Sequence, residues 1–411
     1  MYRKFFAQNS ARKIPFFLTL FFFWSSADIV LTYLLPVLIE DTVSNLLLLG
    51  IIVSAGSFMA VIFNMITSWR FAGRHYRFFY LAGFMIALLV PIFLFIPGVW
   101  PLLVLTILAG LYYEMFSFGH EEFLGNHVPH REHVKTSGMI MLVVTISSIL
   151  LPMIIAPSLE QRSFDLSFFL YISFAVIGLL FFILFAPQRS KDVQHAPSKM
   201  LSFVNELKIW KLLSRNTYPV LLVMVILMIL DAIYWTLGPL LTVYYAKQSP
   251  ELAALFVPVY IIPGLAVTYY APKWADKFGE VKAMLFSLGL SGIFLILFLL
   301  SEDLHILLAL GFISGFFSSL SYTLTEGLFA HLIDRLNEQG THLIGLRGVA
   351  IDLGYIIGPF LGGLMAEYFS IKDGFAYTGI IMVIAALYLF FKYGRTIRLQ
   401  QIELKKIIEE D

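Results

Sequence analysis

The sequence predicts an all-α membrane protein of twelve transmembrane helices, arranged as two pseudo-symmetric six-helix bundles. Three observations carry this. Of 411 residues, 59% are hydrophobic and only 13% charged, where a soluble domain carries roughly 25% charged. Twelve apolar runs are long enough to cross a hydrocarbon core of about 30 Å, which takes roughly 20 helical residues. Distinctive residues of the first half recur in the second at a nearly constant offset.

The runs lie near 14–39, 44–68, 78–97, 100–119, 137–157, 166–187, 219–244, 252–272, 283–301, 304–327, 346–366 and 375–393. The first follows the polar segment MYRKFFAQNSARK and lacks a small-residue cleavage site, so it reads as a retained helix rather than a signal peptide. Lys and Arg near span ends mark the cytoplasmic side. They fall at both termini and in every second gap, and only Arg162, Lys247 and Lys372 lie in the remaining gaps. With Arg347 counted in the gap before span eleven and Lys392 with the C-terminal segment, no Lys or Arg is left inside a span, and both termini lie in the cytoplasm.

The longest connection, 188–218, separates an N-terminal bundle (1–187) from a C-terminal bundle (219–394), followed by a cytoplasmic tail (395–411). Within it, KMLSFVNELKIWKLL sets Met200, Phe203, Val204, Leu207 and Trp210 on one helical face and Lys199, Lys208 and Lys211 toward the other. That pattern predicts a helix lying at the cytoplasmic interface.

The two halves repeat. Asp28 and Asp231, each followed eight residues later by Pro (Pro36 and Pro239), are 203 apart. Gly110 and Glu121 of span four match Gly315 and Glu326 of span ten at 205; Gly73 matches Gly279 at 206, and Pro152 matches Pro359 at 207. Four matches in corresponding spans point to duplication, and an even six-span unit keeps both halves in one orientation.

A net charge of +1 gives no basic excess for nucleic acid. The absence of cysteine excludes disulfides and thiolate chemistry. The histidines form no metal-ligand spacing, His127, His130 and His133 reading as loop residues. No glycine-rich nucleotide loop is present, so ATP is not the driver, and neither cofactor nor metal is expected.

Two motifs carry a resemblance to a known family. Span eleven reads Gly354-Tyr-Ile-Ile-Gly358-Pro359-Phe-Leu-Gly362-Gly363, and the loop after span eight reads Trp274-Ala-Asp276-Lys-Phe-Gly279. With the twelve spans and the repeat, the chain resembles the major facilitator superfamily of secondary transporters over nearly its whole length. It departs where Arg70-Phe-Ala-Gly73-Arg74 carries arginine in place of the aspartate usual after span two, and where span five has only Pro152. Physically, the glycines let backbones approach closely and Pro359 bends its helix. Asp276 sits well near a helix N-terminus; the resemblance implies that it holds the cytoplasmic side closed, near the start of span five around Lys135, Thr136 and Ser137.

Four carboxylates fall within spans: Asp28, Glu114, Asp231 and Asp352. A charge at the bilayer centre costs at least about 2.5–3.5 kcal/mol. With no buried cation expected, their partners are a proton, a metal ion or a cationic substrate, and an organic anion is disfavoured. The resemblance places Asp28, Glu114 and Asp231 around a central cavity. Helical spacing groups Ser25, Asp28 and Thr32; Gly110, Glu114, Ser117 and Glu121; and Met228, Asp231, Tyr234 and Trp235, whose aromatics suit a planar or cationic ligand. Glu121 and Glu326, at cytoplasmic span ends beside Glu122, His120 and His331, form a candidate inner gate. The expected activity is proton-coupled alternating access, exporting a hydrophobic or cationic small molecule; the alternative is uptake of a neutral nutrient such as a sugar. A membrane enzyme lacks a catalytic cluster, and a channel would be an oligomer of fewer spans. The expected partners are a small-molecule substrate, protons and the lipid bilayer, with the chain acting as a monomer in the plasma or inner membrane.

Overall fold

The computed structural model describes residues 10–71, 74–128, 130–186, 203–336 and 340–393. Gly73, Lys199, Met200 and the tail 395–411 lie outside the described residues. Among the described residues six helices come first: α1 (Ser10–Val43), α2 (Leu46–Arg70), α3 (Tyr76–Leu94), α4 (Val99–His127), α5 (His130–Glu160) and α6 (Asp165–Phe185). After α7 (Phe203–Ala246) come α8 (Pro250–Ala253), α9 (Phe256–Ile261), α10 (Gly264–Phe278), α11 (Glu280–Ile296), α12 (Leu304–Leu336), α13 (Gly340–Tyr368) and α14 (Ile371–Tyr393). Eleven helices are long and apolar enough to span a membrane among the described residues.

The twelfth expected span, 252–272, is α8, α9 and the first turns of α10. Pro258 and Pro263 lack the N–H a continuous helix needs, so this span is broken rather than one rod. His127 ends α4, and His130 and His133 lie in α5 rather than in a loop.

One compact unit comprises residues 1–197 and 239–258. In it α1 packs on α5 and α6, and α4 on α2 and α3. Its core is aromatic: Phe17 stacks on Phe123 at 4.6 Å, and Trp24 on Phe116 at 5.3 Å. Such pairs add about 0.5–1.5 kcal/mol each beyond their burial. The C-terminal end of α7 belongs here, where Tyr33 and Thr242 share a hydrogen bond of 2.5 Å. Arg162, in the left-handed region at φ 54°, reaches Glu40 at 2.6 Å.

The second unit comprises residues 198–238 and 259–411. There α11 packs on α12 and α14, and α12 on α10 and α13. A Cβ on Gly292 of α11 would meet the Gly379 carbonyl oxygen of α14 at 2.6 Å, so these backbones touch. Gly279 joins α10 to α11 at φ 82°, which explains the glycine of the loop motif: its N–H closes α10 on the Ala275 carbonyl at 2.8 Å.

The expected interfacial helix is described from Phe203 onward. Its described part is continuous with span seven, α7 running 44 residues without a break. Ile209 and Leu213 are buried, and a Cβ on Gly345 of α13 would lie 3.2 Å from Trp210. Of the expected apolar face Trp210 is the described side chain, and it packs on α13; Met200, Phe203, Val204 and Leu207 lie outside the described side chains.

Candidate functional site

Asp28 sits mid-way along α1 and is half-buried. Tyr112 of α4 and Tyr171 of α6 lie within its electrostatic reach. Their hydroxyls, however, donate to the carbonyls of Trp24 (3.2 Å) and Ala87 (3.0 Å). Among the described residues Asp28 has no hydrogen bond or ion pair.

Glu114 is buried on α4 and accepts a 2.9 Å hydrogen bond from the Asn64 amide of α2. Glycine makes this contact possible. A Cβ on Gly110, one turn before Glu114, would meet the Gly56 carbonyl oxygen at 2.5 Å, and a Cβ on Gly56 the Thr106 oxygen at 2.6 Å. The second unit repeats the device, with Gly315 of α12 pressed on the backbone of Tyr260 in α9.

Asp231, half-buried on α7, has two neutral donors. The Tyr355 hydroxyl of α13 donates to its Oδ2 at 2.5 Å, and the Trp235 indole one turn along α7 donates as well. The glycine-proline motif positions Tyr355. A Cβ on Gly358 would lie 2.7 Å from the Ala232 Cβ and 2.9 Å from the Ile229 oxygen, Gly354 lies against Met228, and Gly362 against Ile233 at 3.1 Å. Pro359 and Gly363 are buried beside them. Only glycine allows α13 this close to α7, which brings the hydroxyl onto the carboxylate. Tyr234 is 1% exposed, stacked on Tyr260 at 3.7 Å and edge-on to Phe375 at 4.7 Å, the surroundings of a packing residue. Trp235 is half-buried.

The expectation that no Lys or Arg stands inside a span is corrected at Arg347. It lies within the apolar stretch His342–Tyr368 of α13. Its Nη2 is 2.7 Å and its Nε 2.8 Å from Oε1 of Glu326 on α12. The pair is half-buried and neutral as a unit, which is how a guanidinium is tolerated there. Tyr322 of α12 joins it, hydrogen-bonded by Arg347 and within electrostatic reach of Asp231. Asp352, half-buried on α13, has no ion pair or hydrogen bond among the described residues.

At the helix ends, Glu121 is exposed, while Glu122 accepts the Tyr76 backbone N–H at 2.7 Å and so caps α3. Asp276 is exposed on the last turn of α10. His331 approaches Glu280 at 3.2 Å.

A sequence model of the Major Facilitator Superfamily matches residues 16–248 and again 220–406. The chain belongs to the major facilitator superfamily. The double match agrees with the internal repeat, and the protein is a multi-pass integral membrane protein. Among similar proteins is "Multidrug resistance protein MdtG" of Proteus mirabilis, 24% identical over 40% of this chain and 42% of that protein. "Multi-drug resistance efflux pump PmrA homolog" of Lactococcus lactis is 26% identical over 36% of this chain and 41% of its own length. "Uncharacterized MFS-type transporter YuxJ" of Bacillus subtilis is 23% identical over 62% of this chain and 65% of its own. The chain thus covers less than two thirds of each. The fold is shared with the nucleoside transporter NupG (TM-score 0.74, 12% identity, 93% of this chain and 99% of that one). A POT family transporter in complex with 5-aminolevulinic acid also shares it (TM-score 0.73, 12% identity, 93% and 96%).

Sequence reasoning for this superfamily member missed Asn64, Tyr322, Arg347 and Tyr355. Asn64 was signalled by an amide in an apolar run, and Tyr355 by its place between the glycines of span eleven.

Proposed function

We propose that the chain is a secondary active transporter, not an enzyme, that exports a hydrophobic or cationic small molecule in exchange for protons by alternating access. The observation that carries this is the pair Asp28 and Asp231, mid-span carboxylates that make no ion pair among the described residues. A bare charge at that depth costs at least about 2.5–3.5 kcal/mol. A proton or a cationic substrate removes the cost equally, so each displaces the other and their movements are linked. Glu114, held by Asn64, supplies a third acid in the first half. The names of the two efflux-pump relatives support the direction, and family membership supports the alternating mechanism.

On this reading the two six-span halves, 1–187 and 219–394, work as a monomer in the plasma or inner membrane with both termini cytoplasmic. Asp276, Glu121 and Glu326 act at the cytoplasmic gate, and Asp352 is an accessory acid on span eleven. The test is flux of ethidium, a planar cation, in proteoliposomes under an imposed proton gradient. Asp28→Asn, Asp231→Asn and Glu114→Gln are each expected to abolish accumulation while the protein still folds. Wild-type accumulation by all three would remove the proton coupling assigned to them.

A further inference from the structure

Both donors to Asp231 stand at the same kind of place. Tyr355 lies four residues before Pro359, and Trp235 four residues before Pro239. In a helix the N–H of residue i bonds the carbonyl of residue i−4, and proline has no N–H. The carbonyls of Tyr355 and Trp235 are therefore the ones left without their intrahelical partner, and sharp bends in long helices concentrate at such points. Both prolines lie within continuous helices, α13 and α7. One carboxylate thus ties together the weak points of two helices.

We propose that Asp231 is the latch of a paired hinge, with Tyr355 and Trp235 as the positioning residues that connect its charge state to α13 and α7. Ionised, the carboxylate accepts from both donors and holds both helices in their present course. Neutralised by a proton or by a bound cation, it becomes a weaker acceptor, since hydrogen bonds to an ionised group are roughly twice as strong. Both hinges are then released together. The other titratable groups within electrostatic reach of Asp231 are Tyr260 of α9, stacked on Tyr234 of α7, and Tyr322 of α12, whose partner Arg347 is neutralised by Glu326. None is a free cation that would hold the latch shut in place of the donors. The inference rests on the proton-coupled reading above, but it is tested without transport.

The experiment is amide hydrogen exchange by mass spectrometry on the purified full-length chain in lipid nanodiscs, at fixed pH, reading segments 236–243 of α7 and 356–363 of α13. Asp231→Asn is expected to speed exchange about tenfold in both segments. Tyr355→Phe keeps the ring but loses the donor; it should speed 356–363 alone, Trp235 still holding α7. Corrected for intrinsic rates, acidifying the wild type should reproduce the Asp231→Asn pattern, and Asp231→Asn itself should show no further change. Wild-type exchange in 356–363 for Tyr355→Phe, or no acid-induced change in the wild type, would overturn the latch. If ethidium flux is not proton-driven yet the exchange pattern appears, the transport reading fails and the latch stands. The converse result separates them in the other direction.

Discussion

Alanine at Gly358 and alanine at Gly348, ten residues apart on α13, should change stability in opposite directions. At Gly358 the new Cβ would sit 2.7 Å from the Ala232 Cβ and 2.9 Å from the Ile229 carbonyl oxygen. Optimal carbon contacts lie at about 3.5–4.0 Å, so the overlap is about 1 Å. The atoms in the way belong to the α7 backbone and a Cβ, which no rotamer change moves aside, so the helices must part. Overpacking of this kind costs about 1–3 kcal/mol. At Gly348 nothing lies within 4 Å of the added Cβ, and replacing a mid-helix glycine by alanine gains about 0.5–1 kcal/mol. The two variants should therefore differ by about 1.5–4 kcal/mol, read by reversible unfolding of the purified protein in mixed detergent. Equal stability, or a more stable Gly358→Ala, would refute the direct packing of the motif on α7.

Arg347→Met leaves the half-buried Glu326 unpaired and should cost about 1–3 kcal/mol, below the range for fully buried pairs because both side chains keep some solvent; Arg347→Met with Glu326→Gln should recover most of it in the same unfolding assay. Asp276→Ala should raise labelling of a cysteine introduced on the cytoplasmic side of the cavity and lower labelling of an extracellular one in this cysteine-free chain; unchanged labelling on both sides would make Asp276 a solvated charge. Asp303, outside the spans, accepts the backbone N–H groups of His305 (2.8 Å) and Ile306 (3.2 Å), and the Ile306 and His305 bonds hold its carboxyl below the usual range. A depressed value means stability present above the ordinary carboxylate pKa and lost as pH falls through the folded one. Thermal unfolding of Asp303→Asn, which caps equally well, should therefore lack that part of the acid sensitivity.

What was legible follows from what the bilayer penalises. A span must be apolar for about 20 residues, so α1 to α6 and α11 to α14 could be read from hydropathy alone. Averaging hydropathy hides a break, so α8, α9 and α10 looked like one span although Pro258 and Pro263 were visible. Pro219 looked like a start, yet α7 runs through it because its earlier turns are packed on α13. At the site, the acids stood out because carboxylates in spans are rare. Their partners did not, because Tyr355 and Trp235 are neutral and apolar for most of their surface, and in a chain with 16% aromatics nothing separates a donor from a packing ring. Arg347 stands second in the run 346–366, and at such an edge one turn of helix decides whether a cation belongs to a loop or to the membrane.

The duplication copied the backbone but not the chemistry at the hinges. Asp28 precedes Pro36 by eight residues as Asp231 precedes Pro239, so Thr32 occupies the place of Trp235. Pro152 corresponds to Pro359, so Ser148 occupies the place of Tyr355. The same four-residue rule therefore frees the carbonyls of Thr32 and Ser148. Their side chains are short, though, and Ser148 is buried, while among the described residues Asp28 has no hydrogen bond. The first half thus has the weak points of the second and a carboxylate of the same origin, but not the long aromatic donors that join them. On the latch proposed above, Asp28 would take up a proton or a cation without releasing a helix, while Asp231 would not. On that proposal, division of labour follows from side-chain length: one half would bind, and the other would bind and bend.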